Sequence, residues 1–159
     1  MPTGFDERIM ADHTAQIITP IGTYFHGYYV IRCAVSSNAW IWGNYYVRVP
    51  PGHVCYDMTS DQLWKSMMAK KLPIDHDLIN FAGELPNTVL SGSHPPGMEK
   101  WWIGGNTRML TRNGEGSSFT ENDVSELAWR CAKNVVKLIE KILGKPLITV
   151  EEGRLVKHA

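Results

Sequence analysis

Apolar and polar residues in the first third of the chain follow a strand pattern. Gln16-Ile17-Ile18-Thr19 is a short candidate strand, halted by Pro20 and Gly22. Thr23 to Val35 and Asn38 to Val49 are then dense in aromatic and β-branched residues, the side chains that fit a pleated, half-buried surface. Ser36-Ser37-Asn38 between them has turn chemistry, so the two runs are expected to form an antiparallel hairpin. Strand alternation puts Trp42, Asn44, Tyr46 and Arg48 on one face and Tyr45, Val47 and Val49 on the other. The first face mixes polar groups with aromatic rings, which suits water or a ligand. Pro50-Pro51-Gly52 ends the second run, because proline has no N–H for the ladder.

The period then changes. Thr59 followed by Gln62 is a capping-box pattern, and Leu63, Trp64, Met67 and Met68 recur at helical spacing before Lys70-Lys71 and Pro73. Pro73 to Met98 is rich in proline and glycine, with brief apolar runs at Leu78-Ile79 and Thr88-Val89-Leu90 that read as short strands joined by ordered loops. Met98 to Gly104 is a strand bearing Trp101 and Trp102. Adjacent residues of a strand face opposite ways, so one indole should enter the core and the other should be open to a partner or ligand. A long helix follows, with Thr120 as N-cap, Asp123 at its third position and Phe119 stapled onto Val124. Its apolar stripe is Val124, Leu127, Ala128, Cys131, Val135, Leu138, Ile139 and Ile142, and Gly144 and Pro146 stop it. Leu147 to Val150 adds a last strand, Glu151-Glu152-Gly153 a turn and Arg154 to Ala159 a tail. These elements predict an α+β fold, an antiparallel sheet packed against one long C-terminal helix plus a short helix. Residues 1–13 read as a flexible arm and 14–159 as a single domain.

Composition narrows the function classes. The 16 basic and 16 acidic side chains cancel and form no block of like charge, so nucleic acid is not an expected partner. Zero net charge lowers one barrier to self-association, and with the aromatic excess it suggests a homo-oligomer. No secretory leader pattern or membrane-length apolar run is evident, which predicts a soluble cytoplasmic protein without membrane contact. Cys33, Cys55 and Cys131 are odd in number and form no Cys-x-x-Cys, so neither a disulfide framework nor a zinc site is expected.

Short catalytic motifs are missing from the sequence, and no cofactor or catalytic residue is assigned. The Gly/Ser stretch at 113–118 precedes a helix whose first turn already carries Glu121 and Asp123, which repel a phosphate. Asp75-His76-Asp77, even with His53 or His94, matches no ligand spacing of a metal site. Glu84 with His53 or His76 makes an acid–base pair if the loops converge, and is a carboxylate capping a turn beside Pro86 otherwise. Trp102, Gly104, Asn106 and Arg108 are the most suggestive set. A flat indole, backbone amides, a side-chain amide and a guanidinium suit a planar, phosphate-bearing ligand.

Four blocks in order resemble a family of small uncharacterised bacteriophage proteins. They are Gly43-Asn44-Tyr45-Tyr46-Val47-Arg48-Val49-Pro50-Pro51-Gly52-His53, Asp77 to Leu85, Trp101-Trp102-Ile103-Gly104-Gly105-Asn106 and Phe119 to Val124, within residues 43–143. His53, Gly83, Trp102 and Gly104 keep the family pattern. Phe81 and Ala82 stand where the family has His-Gly, Asn106 where it has Asp, and Met109 where it has its last His. Phenylalanine and methionine move no proton, so the resemblance with these departures implies binding in preference to catalysis. The expectation is a phage-type small-molecule binding protein for a nucleotide-like ligand, a sponge that sequesters a signal of bacterial immunity in the host cytoplasm. Its candidate ligand site is Tyr46, Arg48, His53, Gly83, Glu84, Trp102, Gly104, Asn106 and Arg108. The alternatives are a hydrolase or nucleotide-modifying enzyme using His53 and Glu84, and a protein–protein inhibitor or structural subunit.

Overall fold

The computed structural model describes residues 16–37, 41–72, 78–85, 100–111, 119–145, 148–151 and 154–157. The expected arm at 1–13, the Thr88-Val89-Leu90 run and the 113–118 stretch lie outside them. The fold is α+β, as its periodicities imply. Strands β1 (Gln16–Phe25), β2 (Tyr28–Ser36) and β3 (Ile41–Arg48) are followed by helix α1 (Ser60–Ala69), strand β4 (Phe81–Gly83), strand β5 (Trp102–Asn106), the short helix α2 (Arg108–Thr111) and the long helix α3 (Glu121–Leu143). Strands β6 (Ile148–Glu151) and β7 (Arg154–Lys157) pair as a separate antiparallel ribbon. The C-terminal stretch expected to be a tail therefore supplies a strand.

The main sheet has five antiparallel strands in the order β1-β2-β3-β5-β4. The expected hairpin of β2 and β3 forms, with Ser36 opposite Ile41. Two boundaries differ from expectation. Pro20 does not end the first strand, because β1 is an edge and the register slips by one residue between Ile18 and Ile21. Thr19 and Pro20 oppose the single residue Cys33 in that bulge, where an absent N–H costs no ladder bond. The run from Thr23 to Val35 is two strands. His26 (φ 52°) and Gly27 (φ 86°) both take positive φ and make a tight two-residue turn, which Phe25 and Tyr28 close.

Both helices start as their cap residues dictate. Thr59 and Gln62 form a reciprocal capping box on α1, and Thr120 and Asp123 form one on α3. Gly144 closes α3 in the left-handed conformation at φ 85°. On α1, Leu63 and Met67 are buried while Met68 stays exposed. Helix α3 lies across β2 and β3 and buries Val124, Ala128, Ala132, Val135, Val136, Ile139 and Ile142. This stripe is rotated from the expected one. Leu127, Cys131 and Leu138 are only partly covered, while Ala132 and Val136 take central places. Close approach explains the rotation. A Cβ on Gly43 would collide with the Val124 carbonyl and the Ala128 side chain, so bare backbone meets the helix's small residues at that crossing.

Two cores result, one on each face of the sheet. The helix-side core joins Tyr28, Tyr45, Val47 and Trp101 to α1 and α3. The opposite face holds Ile31, Cys33, Trp42, Tyr46, Phe81 and Trp102, all buried within the single chain.

Candidate functional site

Register decides which of the sequence-selected residues meet. Arg48 pairs with Trp102, Tyr46 with Gly104 and Asn44 with Asn106 across β3 and β5, and Gly83 of β4 pairs with Trp102 from the other side. Residues directly opposite in an antiparallel ladder share a face. Tyr46, Arg48, Gly83, Trp102, Gly104 and Asn106 therefore gather on the side of the sheet away from α3.

Polar groups on that face are organised by short-range hydrogen bonds. Trp42 Nε1 donates to Asn44 Oδ1 at 3.0 Å, and Asn44 Nδ2 donates to the Tyr46 hydroxyl at 2.8 Å. Asn106 Oδ1 accepts the backbone N–H of Arg108 at 3.1 Å, which fixes the turn into α2. The Arg108 guanidinium then sits 4.3 Å from the centre of the Trp42 ring, in cation–π range. Thr107 clasps Gly43 twice: its hydroxyl accepts the Gly43 N–H at 2.8 Å, and its own N–H donates to the Gly43 carbonyl at 2.8 Å. Two buried donors on this face have no acceptor, Asn106 Nδ2 and Arg48 Nε. Arg48 also has no carboxylate partner among the described residues.

Several expectations change here. Neither indole is presented to solvent: Trp101 is 6 % exposed in the helix-side core and Trp102 is 0 % exposed in the opposite one. They do face opposite ways, as alternation requires, but both faces of this sheet are covered. Trp102 packs edge-on against Tyr29, at 6.3 Å between centroids. The two glycines beside it serve packing. A Cβ on Gly104 would strike the Tyr45 carbonyl, and one on Gly105 would sit 2.7 Å from the Tyr45 hydroxyl. The Gly104 carbonyl is itself engaged by the Asn80 N–H at 3.0 Å. The expected strand from Met98 also begins later, at Trp102, and Leu78-Ile79 is not a strand; Phe81 starts it instead.

His53 belongs to the other side of the sheet. Its Nδ1 accepts the Cys55 N–H at 3.0 Å, which leaves the proton on Nε2 to donate to the Tyr28 hydroxyl at 2.8 Å in the helix-side core. Burial pulls the imidazole down to about 4, pushes the Cys55 thiol up to about 12 and raises Tyr28, with Glu140 adding to the shift of Tyr28. All three groups are neutral at pH 7. Glu84 is surface-exposed and ion-paired to Lys100 at 3.3 Å. The proposed His53–Glu84 couple is not assembled: each side chain has a different partner.

Trp42 and Asn44 are the site residues that escape a reading of local motifs, although their place on the Tyr46 and Arg48 face is visible in the alternation. Asp75, His76, Asp77 and His94 lie outside the described residues, and among the described residues no cluster of three metal-ligating side chains exists. No helix among them is long and apolar enough to cross a membrane. Compared with protein families, curated proteins and solved structures, the chain matches none.

Proposed function

We propose that the chain is a non-catalytic binding protein for a planar, anionic small molecule of nucleotide type, held on the sheet face of Trp42, Tyr46 and Trp102. One observation carries this reading: Arg48 Nε and Asn106 Nδ2 are buried donors without acceptors, on one aromatic face. Each unmet donor costs on the order of 1–3 kcal/mol, which a ligand carrying acceptors would recover. The two lie four residues apart in register, about 14 Å along the strands at about 3.4 Å per residue. That span suits an extended molecule with acceptors at both ends. Arg48 and Arg108 are partly exposed at the ends of the face, so a ligand enters there and displaces aromatic side chains to reach Trp102. The engaged, neutral state of His53 and the exposure of Glu84 favour binding over turnover. Sequestration of a bacterial immune signal extends this proposal and draws on the resemblance to phage proteins.

The test is incubation of the purified protein with cyclic and ADP-ribose-type nucleotides, followed by thermal-shift measurement and identification of what heating releases. Binding with intact recovery is expected, and Arg48→Ala and Arg108→Ala should each weaken it at least tenfold. An altered product would establish catalysis instead. Absence of a thermal shift with every nucleotide would remove the nucleotide reading. We further propose that the chain self-associates through β1, an edge strand on which Ile21 and Tyr24 are exposed.

A further inference from the structure

The bulge in β1 puts two isoleucines on one face. Residues three apart in a regular strand point opposite ways, and the extra residue at Thr19 and Pro20 brings Ile18 and Ile21 back together. Ile18 pairs with Ala34 and Ile21 with Arg32, which are two residues apart on β2 and therefore share a face. That face is the helix side, since Ala34 also pairs with Gly43, whose bare backbone meets Val124 of α3. Helix α3 lies mainly over β2 and β3, and a cleft of about 200 Å³ remains between its first two turns and β1. Ile18, Ile21 and Ala34 form its apolar floor, and Glu121, Asn122 and Ser125 its polar wall.

Floor and wall suit different parts of one molecule. Ile21 is 38 % exposed, so the floor keeps apolar surface that hydrocarbon would cover. The wall presents a carboxylate, an amide oxygen and a hydroxyl, all of which accept hydrogen bonds. Glu121 is the only charged side chain of the lining, and it has no basic partner among the described residues. It stands at the positive pole of α3, worth about half a charge. Asp123 adds a second carboxylate in the same turn, so the negative charge at this helix end outweighs the pole. An ammonium group, with three donors and no acceptor, complements such a wall, whereas an anion is repelled by it.

We propose that this cleft binds a small primary amine in its ammonium form, carried on a short apolar body. The body rests on Ile18, Ile21 and Ala34, and the head donates to Glu121, Asn122 and Ser125. The cleft is smaller than a typical drug-sized pocket, which restricts the ligand to a short chain or a single small ring. It lies on the opposite side of the sheet from Tyr46, Arg48 and Trp102, so it stands independently of the nucleotide reading.

Butylammonium is the probe, with butanol and butyrate as its neutral and anionic counterparts, each titrated into the whole chain and followed by NMR of the isoleucine methyls. Saturable shifts at Ile18 and Ile21 are expected with butylammonium and not with butyrate, and butanol should bind more weakly. Glu121→Gln keeps the size of the side chain at an exposed position and should raise Kd about threefold, the effect of removing a solvent-accessible ion pair. Ser125→Leu fills the cleft from the half-buried wall of the helix and should abolish the shifts. Glu126→Gln, an equal change of charge at an exposed position of α3 outside the lining, should leave Kd unchanged. No saturable shift with butylammonium, equal binding of butanol or butyrate, or a Kd indifferent to Glu121→Gln would each overturn the proposal.

Discussion

His53 shows how burial and hydrogen bonding settle the state of one side chain. Both ring nitrogens are used, one accepting from Cys55 and the other donating to Tyr28, and the residue is 3 % exposed. Desolvation lowers its pKa from 6.5 to about 4. Above pH 6.5 the imidazole is neutral in the folded and unfolded chain alike, and it adds no pH dependence. Between pH 6.5 and 4 the unfolded chain takes up a proton that the folded chain refuses, so stability falls as pH falls. Below pH 4 both states are protonated and the loss levels off at about 3 kcal/mol, from about 1.4 kcal/mol per pH unit. Urea denaturation between pH 7.5 and 4 should show this slope in the parent chain. In His53→Gln, whose amide can replace both hydrogen bonds without titrating, it should be shallower. Equal slopes would refute the assignment. Gly104 offers a second single-residue test. Alanine there would force its Cβ into the Tyr45 carbonyl, and the strands β3 and β5 would have to part. Gly104→Ala should cost on the order of 1–3 kcal/mol in chemical denaturation, comparable to other overpacked cores. A ligand role alone for this glycine would predict no loss of stability.

At the scale of elements, what was legible in the chain is what depends on a few neighbouring residues. Thr120 and Asp123 are three residues apart and make the cap they spell, as do Thr59 and Gln62. Removing the α3 cap with Thr120→Ala should lower stability by about 1 kcal/mol, read as a lower urea midpoint with unchanged slope. Alternation along Ile41–Arg48 likewise placed Trp42, Asn44, Tyr46 and Arg48 together, and register then added Trp102, Gly104 and Asn106 to the same face. What escaped local reading depends on distant partners. Pro20 breaks a strand that has neighbours on both sides but is tolerated in β1, and nothing near Pro20 tells that β1 is an edge. Whether an aromatic and polar face meets solvent or a second core is similarly a property of the whole fold. That is why Trp101 and Trp102 could be given opposite directions but not burial on both faces. The rotation of the α3 stripe toward Ala132 and Val136 follows from Gly43, ninety residues earlier in the chain. Spacing within the helix carries no trace of it.

Among the described residues, one edge of the main sheet is long enough to associate with another chain. Strand β4 has only three residues, too short a template for another chain, whereas β1 runs for ten. The bulge at Thr19 and Pro20 interrupts β1 once, and the segment from Ile21 to Phe25 beyond it remains regular, with Ile21 at 38 % and Tyr24 at 65 % exposure. Charged side chains usually guard such an edge, and this segment has none. A net charge of zero adds no long-range repulsion between copies. Two copies pairing edge to edge along β1 would bond through the outer side of that strand and cover Tyr24. Sedimentation across a range of concentrations should therefore give a dimer for the parent chain. Thr23→Lys with Tyr24→Lys, both at exposed positions, should give a monomer with the same circular dichroism. A parent chain that stays monomeric at every concentration would exclude β1 as an interface. A lysine variant that keeps the parent's mass would place the interface elsewhere.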